Sequence, residues 1–281
     1  SPHFPAAANN RIQVLYFMGH KDRCLAAAQQ FLAKFPDSGL APAARYYEAL
    51  ALAGLDRHEE AAAALQKLLG EKANLPFEGE ALLLWGQCLE KQNKLAEACE
   101  LYKRLAKISP SRGTYSLGLA LYRMGKFADS AAALRPLASK SDDTLQAQAR
   151  LQLGLSLLAD KKTSDARALL KDIAAGDTAR SAAAGYALAQ CDIADSKYEP
   201  ALAILDKLLQ AKPANSVDLL RDRAFCLMKL EKYDPAATAY DAFRQAAREQ
   251  KDPPVQPDDL AQALYHHAFC LHKLGKYEAS N

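Results

Sequence analysis

The sequence predicts an all-α fold, a solenoid of about seven and a half helix-turn-helix repeats, on three observations. Residues 224–233 read AFCLMKLEKY and return 44 residues later at 268–277 as AFCLHKLGKY, identical at eight of ten positions. Half of the 281 residues are hydrophobic and much of that half is alanine, whereas the runs of Val, Ile and Thr that feed a sheet are nearly missing. A column of small residues, Cys24, Ala61, Ala98, Ser130, Ala166, Ala201, Ala236 and Ser280, recurs at intervals of 37, 37, 32, 36, 35, 35 and 44, the spacing of a stacked helical hairpin.

Each unit follows one plan. Its first helix carries a small residue at mid-length, Ala49, Gly86, Gly118, Gly154, Ala189, Ala224 and Ala268, where helix backbones approach closely. A turn follows, often Gly-Lys-aromatic; Asp56, Asn93, Lys161, Ser196 and Glu231 stand where that glycine is usual. The second helix opens on the small column. Four residues on come Leu65, Tyr102, Leu134, Leu170, Leu205 and Tyr240, and three further Leu68, Leu105, Leu137, Ile173, Leu208 and Phe243. Spacings of four and three place both sets on one helical face, the expected core. The register predicts one continuous domain, 1–281, with seven complete units and an eighth cut short, as in a piece of a longer protein whose apolar end, at Leu271 and Leu274, is uncovered.

Prolines mark the irregular places. Pro136 falls inside a second helix and predicts a kink or an early end. Pro200 and Pro235 fall in first turns, where a missing N–H costs little. Residues 248–259, REQKDPPVQPDD, account for the 44-residue interval and predict a lengthened second helix, a rigid loop, and Asp258 or Asp259 as the next cap.

Composition excludes several functions. The net charge is +3, from 36 basic and 33 acidic residues mixed along the chain, so no nucleic-acid footprint is expected. No apolar run reaches the ~18 residues of a membrane span, so no membrane insertion is expected. Cys88, Cys191, Cys226 and Cys270 share one position, two residues after the small residue of the first helix, while Cys24 lies in the second helix's small column and Cys99 beside it. This reads as packing rather than disulfide or metal use. Glycine-rich phosphate loops, HExxH and GxSxG are missing, so no catalytic residue and no cofactor is assigned. His266, His267 and His272 lack the i, i+4 spacing of a metal pair and read as surface or groove histidines; no metal site is assigned. Glu59-Glu60 and Asp142-Asp143 lie at helix starts or turns, where negative charge complements the helix dipole.

The motif elements Leu84-Trp85-Gly86…Ala98…Tyr102…Pro110, Gly118…Gly125-Lys126-Phe127…Ser130 and Lys197-Tyr198…Ala201…Pro213 resemble the tetratricopeptide repeat (TPR) pattern, and the resemblance runs along essentially the whole chain. It implies a right-handed TPR-type α-solenoid. Phe35-Pro36-Asp37-Ser38, followed by Ala41-Pro42-Ala43-Ala44-Arg45-Tyr46-Tyr47, is similar to boundaries in bacterial cell-envelope TPR proteins, such as outer-membrane assembly lipoproteins and Tol-Pal-associated proteins. That likeness implies an envelope or periplasmic setting rather than the cytoplasm.

In TPR arrays the first helices line a concave face. Mapped here, that face carries Tyr46 and Leu50; Leu83, Gln87 and Glu90; Tyr115, Leu119, Tyr122 and Arg123; Leu151, Leu155 and Leu158; Tyr186 and Gln190; Arg221, Phe225 and Met228; and Tyr265, Phe269 and His272. Tyr46, Tyr115, Tyr186 and Tyr265 recur at one position, either as binding anchors or as packing between repeats. The clamp that grips acidic C-terminal peptides is not formed, since the first unit offers Asn9 and Gln13. The resemblance therefore implies a non-catalytic scaffold holding a protein or peptide partner by side-chain pockets. The alternatives are a structural module that self-associates end to end, or the recruitment domain of a larger enzyme or envelope complex.

Overall fold

The structure, a computed structural model, describes residues 4–71, 75–140, 144–176, 180–211, 216–250 and 254–276. Every regular element in them is a helix. Tyr277, Ser280, Pro213 and Asp142-Asp143 lie outside the described residues.

The chain divides into two compact units, Ser1–Gln152 and Leu153–Asn281. The first holds α1 (Phe4–Phe17), α2 (Lys21–Lys34), α3 (Ala41–Gly54), α4 (His58–Glu71), α5 (Glu78–Lys91), α6 (Leu95–Ile108), α7 (Pro110–Arg123) and α8 (Phe127–Ala138). The division falls inside α9 (Gln146–Ala159). The second continues with α10 (Thr163–Ala174), α11 (Ser181–Ala194), α12 (Tyr198–Gln210), α13 (Val217–Lys229), α14 (Tyr233–Glu249) and α15 (Pro257–Lys273). In each unit successive helices pack on one another, and first helices of neighbouring hairpins also touch, α1 on α3 and α3 on α5 in the first unit and α13 on α15 in the second.

Eight turns share one hydrogen-bond pattern. The N–H of Gly125 meets the carbonyl of Tyr122 at 2.9 Å, and the N–H of Lys126 reaches back to Leu121 at 3.0 Å. The same pair of bonds closes the turns at Gly19, Asp56, Asn93, Lys161, Ser196, Glu231 and Gly275. This is the Schellman closure, which needs a left-handed residue. Five of these residues are not glycine: Asp56, Asn93, Lys161, Ser196 and Glu231 have φ between 59° and 61°. These are the positions where sequence placed a missing glycine. The next residue, His20, Arg57, Lys94, Lys126, Lys162, Lys197, Lys232 or Lys276, is basic at every turn. In seven turns its carbonyl accepts from the N–H of the small column, as in Ser130 to Lys126 at 2.9 Å, so one residue ends a helix and starts the next.

The columns meet as expected. Leu65, Leu134, Leu170 and Leu205 are fully buried, and Tyr102 and Tyr240 nearly so. A Cβ added to Gly86 would lie 2.3 Å from Tyr102 Cε1, on Gly118 2.5 Å from Leu134 Cγ, and on Gly154 2.7 Å from Leu170 Cδ2. The large side chain of one helix thus fills the space left by the missing side chain of its partner. Ser130, buried in the small column, donates to the Gly118 carbonyl at 2.8 Å. All six cysteines are free and buried, in agreement with a packing role. Trp85, the only tryptophan, packs partly buried against the hydrophobic clusters of the first unit.

Four local expectations need correction or detail. The α8 helix runs through Pro136 and ends two residues later at Ala138, giving 12 residues against 14 in α4 and α6. The α15 helix starts at Pro257 with Gln256 as its cap, so Asp258 and Asp259 lie in the first turn; proline at N1 fixes the start and the acids face the dipole instead. Leu271 is 8% exposed and packs in the core with half-buried Leu274, so these two do not form an open apolar face. His267 is 5% exposed, packed against Tyr240, and is a core residue rather than a surface or groove one. Pro200 and Pro235 stand in first turns and α14 reaches 17 residues, as expected.

Candidate functional site

Among the described residues, each unit contains a cleft lined mainly by its first helices. In the first unit a cleft of about 630 Å³ is lined by Tyr16 of α1, Leu50, Ala53 and Gly54 of α3, Leu84, Gln87, Cys88, Glu90 and Lys91 of α5, Arg123 of α7, and His58. All but His58 come from first helices, so the hairpin register alone brings them together. Glu90 accepts from Arg123 Nη1 at 2.6 Å and is mostly covered, whereas Arg123 is about half exposed. Behind Glu90, buried Tyr102 donates its hydroxyl to the carboxylate; burial first, and then the Glu90 charge, hold this phenol far above its ordinary range. Gln92 anchors the far wall by donating to the His58 carbonyl at 3.1 Å. The result is an apolar floor, Leu50 and Leu84, under a polar rim of Gln87, Lys91 and Arg123.

The second unit's cleft, about 240 Å³, is lined by Ile193, Arg221, Asp222, Phe225, Tyr240, Asp259, Gln262, Ala263 and His266. Arg221 is ringed by carboxylates: Asp222 at 3.0 Å, Asp218 at 3.2 Å and Asp259 at 3.4 Å. Tyr186 donates to the other oxygen of Asp222 at 2.8 Å. Burial raises the Asp222 carboxyl above its ordinary value, opposed by Arg221 and by the Tyr186 hydrogen bond. Tyr186 is itself pushed far up by burial and by the Asp222 charge. His266, 5.5 Å from the Phe225 ring centroid, is lowered by burial and by Lys229, which favours its neutral form.

Of the expected groove residues, the first cleft gathers Leu50, Gln87, Glu90 and Arg123, and the second Arg221 and Phe225. The others lie elsewhere. Tyr46 stacks on Phe77 at 4.9 Å, and burial with the nearby Glu80 charge pushes its phenol up to about 12. Tyr46 and Tyr186 therefore pack between neighbouring repeats. Tyr122 meets Phe127 edge-on at 5.2 Å. Tyr115, Leu119, Leu155 and Gln190 are half-buried, and Met228, 8% exposed, belongs to the core. Tyr265 is 70% exposed and Phe269 38%, the latter against Tyr233. His266, by sequence a surface or groove histidine, lines the cleft, whereas the sequence does not single out Asp222 and marks Asp259 only as a helix cap and Tyr240 only as core. One signal was available: Asp222 holds the position that Tyr47, Leu84, Ser116, Gln152 and Ala187 hold in other units, and alone among these puts a carboxylate there.

Among the described residues no three His, Cys, Asp or Glu side chains gather as a metal site would. No helix in them is long and apolar enough to cross a membrane.

Helical hairpins packed in succession define an all-α repeat protein. Tetratricopeptide-repeat models match residues 9–76 and 115–179, and residues 80–111, together more than half of the chain, and the chain belongs to the tetratricopeptide repeat family. Proteins of this fold are typically non-catalytic scaffolds that bind other proteins. No curated protein sequence matches the chain. Among solved structures, a tetratricopeptide repeat protein from Parabacteroides merdae superposes with a TM-score of 0.68 at 11% identity, covering 94% of this chain and 98% of that one. The C-terminal part of a TPR repeat-containing protein from Cytophaga hutchinsonii gives 0.68 at 14% identity, covering 87% and 97%. A Rap protein complexed with competence and sporulation factor gives 0.52 at 16% identity, covering 98% and 94%.

Proposed function

We propose that this protein is a non-catalytic scaffold that holds an extended or helical segment of a partner protein against its first helices. The first unit's cleft carries this reading: about 630 Å³ built by side chains from four successive first helices, with an apolar floor and a polar rim. That composition suits peptide side chains, which need buried apolar contact together with a few placed polar groups. The Rap protein of the same fold, solved with competence and sporulation factor, supports the reading by analogy. Two of the three exposed rim residues, Gln87 and Arg123, are the handles for a test. A displayed peptide library selected on the full chain is expected to yield binding sequences, and Gln87→Ala with Arg123→Ala to weaken them about tenfold or more with helicity unchanged. Selected peptides that bind this double variant as tightly as the wild type would remove the cleft from the site, and failure to select any peptide would sink the reading.

End-to-end self-association is a second reading, favoured by exposed apolar area on α15, where Leu264 is 40% and Tyr265 70% exposed. Sedimentation velocity across a hundredfold concentration range decides it: an invariant monomer argues against stacking.

A further inference from the structure

We propose that the outward face of α1 is a docking surface for one amphipathic helix of a partner protein, laid antiparallel to α1 with a carboxylate against Arg11. None of the side chains that form this face lines either cleft.

Phe4, Ala7, Arg11, Val14 and Met18 follow one another at spacings of three and four, a single stripe along α1 and the residue after it, and all are exposed. Phe4 and Val14 are 55% exposed, Met18 63%, and Phe17 on the flank 77%. The same positions are covered in the other first helices. Val14 stands ten residues before the small column, and its equivalents, from Ala51 of α3 to Cys270 of α15, are at most 1% exposed. Ala7 holds the position of Ala44, Ala81 and Gly113, all buried. What covers them is the preceding second helix: a Cβ on Gly113 of α7 would meet Ala106 of α6, and Arg167 of α10 pairs with Asp192 of α11. The face of α1 is therefore the receiving side of a joint that the rest of the chain repeats.

Charge names the occupant. Arg11 stands thirteen residues before the small column, where Glu48, Arg223 and His267 stand in other hairpins. Each of these meets a polar group from one place, five residues after the small column of the preceding second helix. Gln29 hydrogen-bonds Glu48, Asp206 accepts from Arg223 Nε at 2.6 Å, and Asp241 lies 3.7 Å from His267 Nε2. Where the position is basic, its neighbour is aspartate. Beside Arg11, a cavity of about 330 Å³ between α1 and α2 is lined by two cations, Arg11 and Lys34, and by no carboxylate, together with Phe4, Phe31 and Phe35. An acidic helix is attracted there and a basic one repelled. The occupant's contact face thus reads apolar, acid, apolar at i, i+4 and i+7, as Leu202, Asp206 and Leu209 do in α12. A second copy has no such helix to offer among the described residues. Its α2, α4, α6, α10, α12 and α14 already carry the next first helix, and α8 puts Arg135 where the acid belongs.

The test uses the whole chain carrying Val14→Cys, a change to the residue that four other first helices hold at this position. All six native thiols are buried, so alkylation reads position 14 alone. The probe is a peptide of residues 198–210, hydrocarbon-stapled on its opposite face to hold the helix. The introduced thiol is expected to react at the rate of an exposed cysteine, and the peptide to protect it saturably. Lysine in place of the peptide's aspartate should weaken protection about fivefold, and Arg11→Glu should reverse the order of the two peptides. An unreactive thiol in the chain alone, meaning a face already covered, overturns the proposal. Protection that grows with protein concentration without peptide assigns the face to a second copy and overturns it as well. No protection by the aspartate peptide, or equal protection by both peptides, does the same.

Discussion

Gly113 shows how much one missing side chain decides. A Cβ there would lie 2.2 Å from the Ala106 nitrogen and 2.4 Å from its Cα, which are backbone atoms of α6 that cannot rotate away. Glycine to alanine inside a helix ordinarily stabilises by about 1 kcal/mol. Here the sign reverses: Gly113→Ala is expected to cost about 2–3 kcal/mol as α6 and α7 are forced apart, read as a lower urea midpoint. Gly86, Gly118 and Gly154 were legible in the sequence because they recur at the unit spacing and face a large residue 16 positions on. Gly113 stands in a second column of small residues, with Ala44, Ala81, Ala149, Ala184 and Ala263 in other units, yet why glycine rather than alanine is needed becomes visible only when the two helices are placed. The site divides the same way. Leu50, Gln87 and Arg123 follow from the register, whereas the pairing of Tyr186 with Asp222 depends on side chains of adjacent hairpins meeting, 36 residues apart.

At the scale of the element, the turn is the repeated device. Five turns hold a side chain in the left-handed region, at a steric cost of roughly 1–2 kcal/mol each that glycine escapes. Glycine gives part of this back through the larger entropy of its unfolded chain. Lys161→Gly is therefore expected to stabilise by about 0.5–1 kcal/mol and to raise the thermal midpoint, while Gly125→Lys should do the opposite. A lower midpoint for Lys161→Gly would mean that the lysine side chain contributes more than its strain costs. These turns were readable because they are local, set by a few consecutive residues. The start of α15 was misread because aspartate and proline both mark helix starts, and Pro257 claimed the position one residue earlier.

At the scale of the whole molecule, burial of many ionisable groups gives stability a pH window. Cys88 and Cys270 are pushed up to about 11 and Cys226 to about 12 by burial, from an ordinary thiol value of 9.0. The unfolded chain releases these protons first as pH rises, so their contribution is complete below pH 9 and is lost through 11 to 12. The urea midpoint is expected to hold near neutrality and fall steadily above pH 9; a midpoint unchanged at pH 11 would contradict the burial of these thiols. The acid side is set by His266 and His267, both lowered from 6.5 by burial, whose contribution disappears as pH falls below that value. The sole tryptophan gives these titrations a spatial address. Trp85 reports only on the unit in which it packs, whereas far-ultraviolet dichroism sums helices from both. Repeat arrays can lose cooperativity over their length. Emission and ellipticity followed together thus form a two-channel recording, in which any lag between the traces is time or denaturant during which one half of the chain has melted without the other.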